Sequence, residues 1–163
     1  MIPEKLKAAL DEHVTAEIAS AYLYLAMSVD FESRSYKGFA KWMRLQFQEE
    51  MAHALKMVDY ALSRGATVSW GDLKAPAVTF GSPLEVFEKT LEHEKAVTAR
   101  IHGLYHLAVA EKDIPTQLFL QWFVNEQVEE EANVAEIIDR IRMTGDRPGA
   151  ILYLAKECGK RAE

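Results

Sequence analysis

The chain has a single cysteine, Cys158, which excludes an internal disulfide framework and any site needing two or more thiolates, including a zinc ribbon or a rubredoxin-type iron centre. Any metal has to be held through oxygen and nitrogen. Long apolar runs are missing as well: the charge-free stretches from Ile18 to Val29 and from Ile114 to Asn125 are 12 residues each, short of the ~18 that a membrane-spanning helix needs. No association with a membrane is expected. The N-terminus, MIPEKLKAALDEH, has no basic region followed by an apolar run and a small-residue cleavage site, so the expected location is cytoplasmic. Nor is there an excess of positive charge. With 25 Asp and Glu against 19 Lys and Arg, a formal charge of −6 disfavours a sequence-tolerant grip on nucleic acid and favours cations as partners. Glycine and proline are scarce, eight and five in 163 residues, and they cluster where helical patterning stops, as an all-α chain requires. The length and a 49% hydrophobic content suit one domain covering residues 1–163.

What is present is helical period. Leu6, Leu10, Val14, Ala21, Tyr24, Met27 and Phe31 recur at three- and four-residue steps, predicting a first helix over about 3–33. A second is expected over 35–64, closed by Gly65. Ser82, Pro83 and Glu85 supply a cap, a first-turn proline and a capping-box acid for a third over 82–112. A fourth is expected over 115–144, and a short fifth over 147–158 after Asp146. Three of the links are short, which makes the helices they join antiparallel neighbours. The fourth link, residues 66–81, is sixteen residues without helical period. It can span up to ~55 Å when extended, enough to return along a ~45 Å helix. The resulting architecture is a four-helix bundle with one long crossover and a short C-terminal fifth helix.

An offset of 77 residues lays the second half on the first, placing Glu17 on Glu94, Glu50 on Gln127 and His53 on Glu130. Each half then carries one acid followed 33 residues later by a polar pair spaced i, i+3. These residues interrupt the heptad stripe that should pack the bundle: Glu17 between Leu10 and Tyr24, Glu50 between Met43 and Met57, Glu94 between Phe87 and Ile101, Gln127 between Leu120 and Val134, and Glu130 between Phe123 and Ile137. Unpaired carboxylates in a core cost several kcal/mol unless they neutralise or share a cation. Residues three apart share a helix face, so Glu50 can ligate with His53 and Gln127 with Glu130. Carboxylates with one imidazole suit iron or manganese, and bridging acids allow two ions.

The segments AEIASAYLYLAM around Glu17 and Tyr24, KGFAKWMRLQFQEEMAHALKM around Glu50 and His53, HE at His93 and Glu94, and FLQWFVNEQVEEE at Phe119 to Glu131 resemble those of the non-haem bacterial and archaeal ferritins across essentially the whole chain. That resemblance implies the ferritin-like fold and an assembly of 24 subunits forming a shell. The shell would oxidise Fe(II) with O2 or H2O2 and store ferric mineral inside. It implies that Glu17, Glu50 and His53 hold the first iron and that Glu50, Glu94 and Glu130 hold the second, Glu50 bridging, with Gln127 as a ligand or ligand-adjacent amide. Glu49, Glu126 and Glu129 match the acids that form a third iron site with Glu130. Tyr24 and Trp122 match aromatics near the centre that supply further electrons; core packing is the alternative for both.

Met51 stands beside Glu50 where the haem-binding bacterioferritins carry their haem-ligating methionine. Those relatives repeat Glu-x-x-His in the fourth helix, whereas this chain has Gln127 and Glu130 there, so Met51 reads as interface or core surface and haem is not expected. Gln117 and Leu120 replace the acids that line the three-fold pores of animal ferritins. The run Glu129 to Glu131 is a solvated face by default, but helical geometry turns part of it inward. His13 and His93 flank the acid layer as partners of its ligands. His102 and His106, four apart, form either a surface metal pair or two solvated side chains. A rubrerythrin-like peroxidase or other diiron oxidase would share the bundle without storing mineral, though rubrerythrin needs cysteines that are missing here. A purely structural bundle would keep its buried acids protonated.

Overall fold

The computed structural model describes residues 1–145 and 147–160. Five helices follow one another: α1 (Glu4–Ser33), α2 (Lys37–Ser63), α3 (Pro83–Ala110), α4 (Ile114–Thr144) and α5 (Pro148–Cys158). α1 packs along α2 and α3 along α4; the two pairs meet through α1 and α3, and α5 lies against α2 and α4. Between α2 and α3 the chain makes the expected long crossover, held to α1 where Gly71 N–H donates to Thr15 Oγ1 at 3.1 Å. The architecture read from the sequence is therefore the one observed. Among the described residues no helix is long and apolar enough to cross a membrane.

The helix ends show which local rules apply. Ser82 and Glu85 form the reciprocal capping box at the start of α3, with Ser82 N–H donating to Glu85 Oε2 at 2.7 Å and Glu85 N–H to Ser82 Oγ at 3.3 Å. Gly65 (φ 73°) follows α2 and Gly145 (φ 55°) closes α4, both left-handed. α2 begins at Lys37, two residues later than the period suggested, because Ser35 itself turns left-handed at φ 66° and reverses the chain. Lys112, at φ 55°, ends α3 early in the same way. Asp146, expected before α5, lies outside the described residues. Asp113 caps α4 by accepting from Thr116 N–H at 3.0 Å. Its carboxylate also takes both guanidinium arms of Arg64, at 3.0 and 2.9 Å. Those hydrogen bonds hold the Asp113 carboxyl far below the usual carboxylate range.

The core is divided. One apolar cluster, around Phe31, Phe39, Met43, Phe87 and Ile141, fills the end of the bundle that carries α5. A second, around Leu6, Leu10, Met57, Ile101 and Leu120, fills the other end. Glu17, Ser20, Gln46, Glu50, His53, Glu94, Gln127 and Glu130 are all buried side chains that belong to neither cluster. A small domain ordinarily has one contiguous core. Here a polar layer divides it.

Candidate metal centre

Each of the four long helices contributes to this layer from its middle turns, where the backbone is fully committed to intrahelical hydrogen bonds and the side chains alone can meet a ligand. α1 supplies His13, Glu17 and Tyr24; α2 supplies Gln46, Glu50 and His53; α3 supplies Glu94 and Thr98; α4 supplies Glu126, Gln127 and Glu130. Glu17, Glu50 and His53 form one cluster in which one potential ligand atom from each lies within 4.8 Å of the others. His53 Nδ1 stands 3.8 Å from Glu17 Oε2 and 3.8 Å from Glu50 Oε2. His53, Glu126 and Glu130 form a second cluster by the same measure, sharing the imidazole with the first.

The other expected ligands are held nearby by hydrogen bonds. Glu94 lies outside both clusters. One of its carboxylate oxygens accepts the Tyr24 hydroxyl, and the other accepts Gln127 Nε2 at 3.1 Å. Gln127 thus turns its amide nitrogen to Glu94, donating also to the Glu94 carbonyl and to Thr98 Oγ1 at 3.2 Å each. Glu130 is oriented by Gln46, whose Nε2 donates to its Oε2 at 2.9 Å. Of the acids expected at a third site, Glu126 and Glu130 come together, Glu49 is half-buried outside both clusters, and Glu129 points to solvent. Glu131 is half-buried and accepts the Thr98 hydroxyl at 2.6 Å. The acidic run therefore divides among inside, edge and outside. Met51 is half-buried on α2. Gln117 is half-buried and donates to Ala108 O, while Leu120 is fully buried in its own bundle, so neither presents a charge to an opening.

The histidines flanking the layer behave differently. His13 is buried with Nε2 2.6 Å from Glu17 Oε1, whereas His93 Nε2 is hydrogen-bonded to Ser20 Oγ at 2.8 Å and its ring meets the Tyr24 ring edge-on. Trp122 is not a core residue. It is 39% exposed, packs edge-on to His53 with centroids 5.4 Å apart, and has Lys56 Nζ 4.0 Å above its ring. Sequence reasoning passed over Gln46 and Thr98. Gln46 was detectable as a polar residue between Met43 and Glu50 on the buried stripe. Thr98 carried no such signal, because its importance lies in partners on another helix.

Electrostatics separates the carboxylates. Burial pushes Glu50 well above the ordinary value, and the neighbouring Glu17, Glu94 and Glu130 push it further. Burial also acts to raise Glu17, but His13, a hydrogen bond shared with Glu50, and His53 outweigh it and leave Glu17 below the ordinary value. Of the pair, Glu50 is the carboxyl biased toward keeping a proton and Glu17 the one biased toward ionisation. Glu94 is raised by burial, and Tyr24 is raised well above 10 by burial and by Glu94. Burial lowers His53, keeping the imidazole neutral and able to ligate. Glu17 meets His13 through Oε1 and Glu50 through a shared hydrogen bond, while Oε1 of Glu50 is buried without a hydrogen-bond partner among the described residues. A donor set of carboxylates and one neutral imidazole, with a carboxylate oxygen left over, fits iron.

The sequence profile of the ferritin-like domain matches residues 7–144. The chain is 45% identical to a bacterial non-heme ferritin from Bacteroides fragilis, over 99% of this chain and 100% of that protein. A bacterial non-heme ferritin from Staphylococcus epidermidis is 38% identical over 99% of this chain and 98% of its own. Among solved structures, an open pore ferritin from the hyperthermophilic archaeon Archaeoglobus fulgidus superimposes with a TM-score of 0.97 at 47% identity, covering 99% of this chain and 100% of that one. Helix order, the divided core and the shared-histidine carboxylate clusters agree with these likenesses, and the chain belongs to the ferritin-like family, among its non-haem bacterial and archaeal ferritins.

Proposed function

We propose that the whole chain acts as one ferritin-like domain that oxidises Fe(II) at the polar layer. It would store the product as a ferric oxyhydroxide mineral inside a hollow cytoplasmic shell of 24 copies. Iron is here substrate and cargo, and O2 or H2O2 is the oxidant. The observation that carries this reading is the cluster of buried Glu17 and Glu50 carboxylates beside a neutral His53, with Oε1 of Glu50 lacking a hydrogen-bond partner among the described residues. An ion at that point meets ligands that are otherwise costly to keep dry.

In this mechanism Glu17, Glu50 and His53 take the first Fe(II), and Glu50, Glu94 and Glu130 take the second. Glu50 gives up its proton as the ions enter and can then bridge them. Gln127 and Gln46 orient Glu94 and Glu130 through the hydrogen bonds already described. His13 fixes Oε1 of Glu17, so that Oε2 is the oxygen facing His53. Two Fe(II) each surrender one electron, and O2 takes both with two protons to give H2O2. Hard carboxylates favour the Fe(III) product. Burial falls along α4 from Glu130 through Glu126 to Glu129, a graded series of oxygens suited to a third iron position and to moving product outward, with Glu49 on the facing helix. Tyr24 and Trp122 supply further electrons from either side of the layer.

The test is aerobic addition of Fe(II) to the apoprotein, followed by size separation with iron and protein measured in the same peak. Iron far above two per chain on a shell-sized species is the expected result; iron stopping near two per chain on a small species would mean a diiron enzyme without storage. Glu50→Ala with Glu130→Ala should abolish fast oxidation while the helical circular dichroism persists. Fast oxidation in that double variant would sink the ligand assignment.

A further inference from the structure

A second group of potential ligands lies on the hairpin of α3 and α4, beyond the carboxylate layer. His102 is eight residues past Glu94, about 12 Å along α3 at 1.5 Å per residue, and His106 is one turn further. Four residues apart, the two exposed imidazoles share a helix face, the spacing at which paired histidines grip zinc. The hydrogen bonds from Gln117 to Ala108 near the turn and from Gln127 to Thr98 farther along fix the antiparallel register. That register brings His106 to within a turn of the level of Gln121 and His102 to within a turn of the level of Asn125, which are themselves four apart on α4. The four side chains line one cleft of about 420 Å³ together with Tyr105 and Val124. None of the four makes a hydrogen bond or ion pair to another described residue.

The chemistry of this cleft is the reverse of the carboxylate layer. It offers two imidazole nitrogens and two amide oxygens, and no carboxylate lines it. Fe(III) and other hard cations favour anionic oxygen, which this cleft lacks, whereas zinc, copper and nickel accept imidazole readily. We propose that His102 and His106, assisted by the amides of Gln121 and Asn125, form a separate site for Zn(II) or a cation of the same class, clipping α3 to α4. Two nitrogens, an amide oxygen and water complete the four-coordinate arrangement that zinc prefers. The site goes beyond iron storage and does not depend on it.

Equilibrium dialysis of the whole protein against Zn(II) tests the proposal by difference, because the carboxylate layer also takes divalent ions. The His102→Ala/His106→Ala variant should bind one Zn(II) per chain fewer than the unaltered protein and oxidise Fe(II) at the same rate. Each single substitution should weaken the same site by more than about tenfold. Cu(II) supplies a spectroscopic check: a paramagnetic resonance signal with coupling to two nitrogens should persist in Glu50→Ala/Glu130→Ala and be lost when His102→Ala/His106→Ala is added to that variant. Equal Zn(II) stoichiometry with and without the two histidines, or a Cu(II) signal indifferent to them, overturns the site. Both histidines are exposed, so unchanged circular dichroism in the variant separates loss of ligands from loss of fold.

Discussion

Glu50 is the residue on which opposing demands meet. As a ligand it has to be an anion, yet in the iron-free protein burial and three neighbouring acids push its carboxyl well above the ordinary value, toward the protonated form. An unfolded chain loses that proton near the ordinary value of 4.5, while the folded chain keeps it to higher pH, so between those two points folding takes up a proton. The associated stability is fully present below about pH 4.5 and is lost as pH rises through the folded-state value. Glu50→Gln cannot ionise and retains it. The iron-free variant is therefore expected to melt higher than the unaltered apoprotein, with a gap that widens as pH rises from the ordinary carboxylate value through the folded-state value. A melting temperature equal or lower at the top of that range would contradict the assignment of the proton to Glu50. The same residue scale shows what a sequence conveys about a site. Glu17, Glu50, Glu94 and Glu130 were legible because a carboxylate in a heptad stripe violates the pattern that packs a bundle. The orientation of Glu94 toward Tyr24 and Gln127, away from both clusters, was not legible, because it depends on which of several neighbours wins each hydrogen bond.

Among the elements, α5 depends on one small residue. Gly38, in the first turn of α2, lies so close to the end of α5 that an added Cβ would come within 1.7 Å of Ala155 O. Gly159 also comes close, its own Cβ position lying 2.8 Å from Gly38 Cα. Helix propensity alone makes Gly38→Ala favourable by up to about 1 kcal/mol. The backbone contact points the other way, because a carbonyl cannot yield as a flexible side chain can. Gly38→Ala should therefore displace α5 and expose Cys158, a half-buried thiol that burial pushes up to about 11, to faster alkylation. The bundle itself should keep its helical signal. Alkylation at the unaltered rate would show that α5 is seated by other contacts. Helix number, order and the capping box were readable from period and punctuation. The ends at Ser35 and Lys112 were not, since left-handed turns at non-glycine residues carry no compositional mark.

At the scale of the molecule, the surface carries apolar side chains that the bundle does not use. On the crossover Trp70 is 67% and Val78 85% exposed, and Leu118 on α4 and Tyr153 on α5 are also open. Three such regions on one chain suit a subunit covered on several sides. If the proposed shell forms, Trp70→Asp with Val78→Asp is expected to shift it to smaller species in light scattering without loss of helix. An undiminished particle size would remove the crossover from the assembly contacts. Amphipathic period cannot distinguish these residues in advance, because a face buried by another copy reads like a face buried at home. The divided core has a further effect. With apolar packing concentrated at two ends and carboxylates between them, the iron-free molecule is expected to be weakest at its waist. Backbone amides of the turns around Glu17, Glu50 and Glu94 are therefore expected to exchange faster in the iron-free protein than those at either end. An ion drawn into that waist links all four helices at once, so the cargo acts, while it stays, as the missing middle of the core.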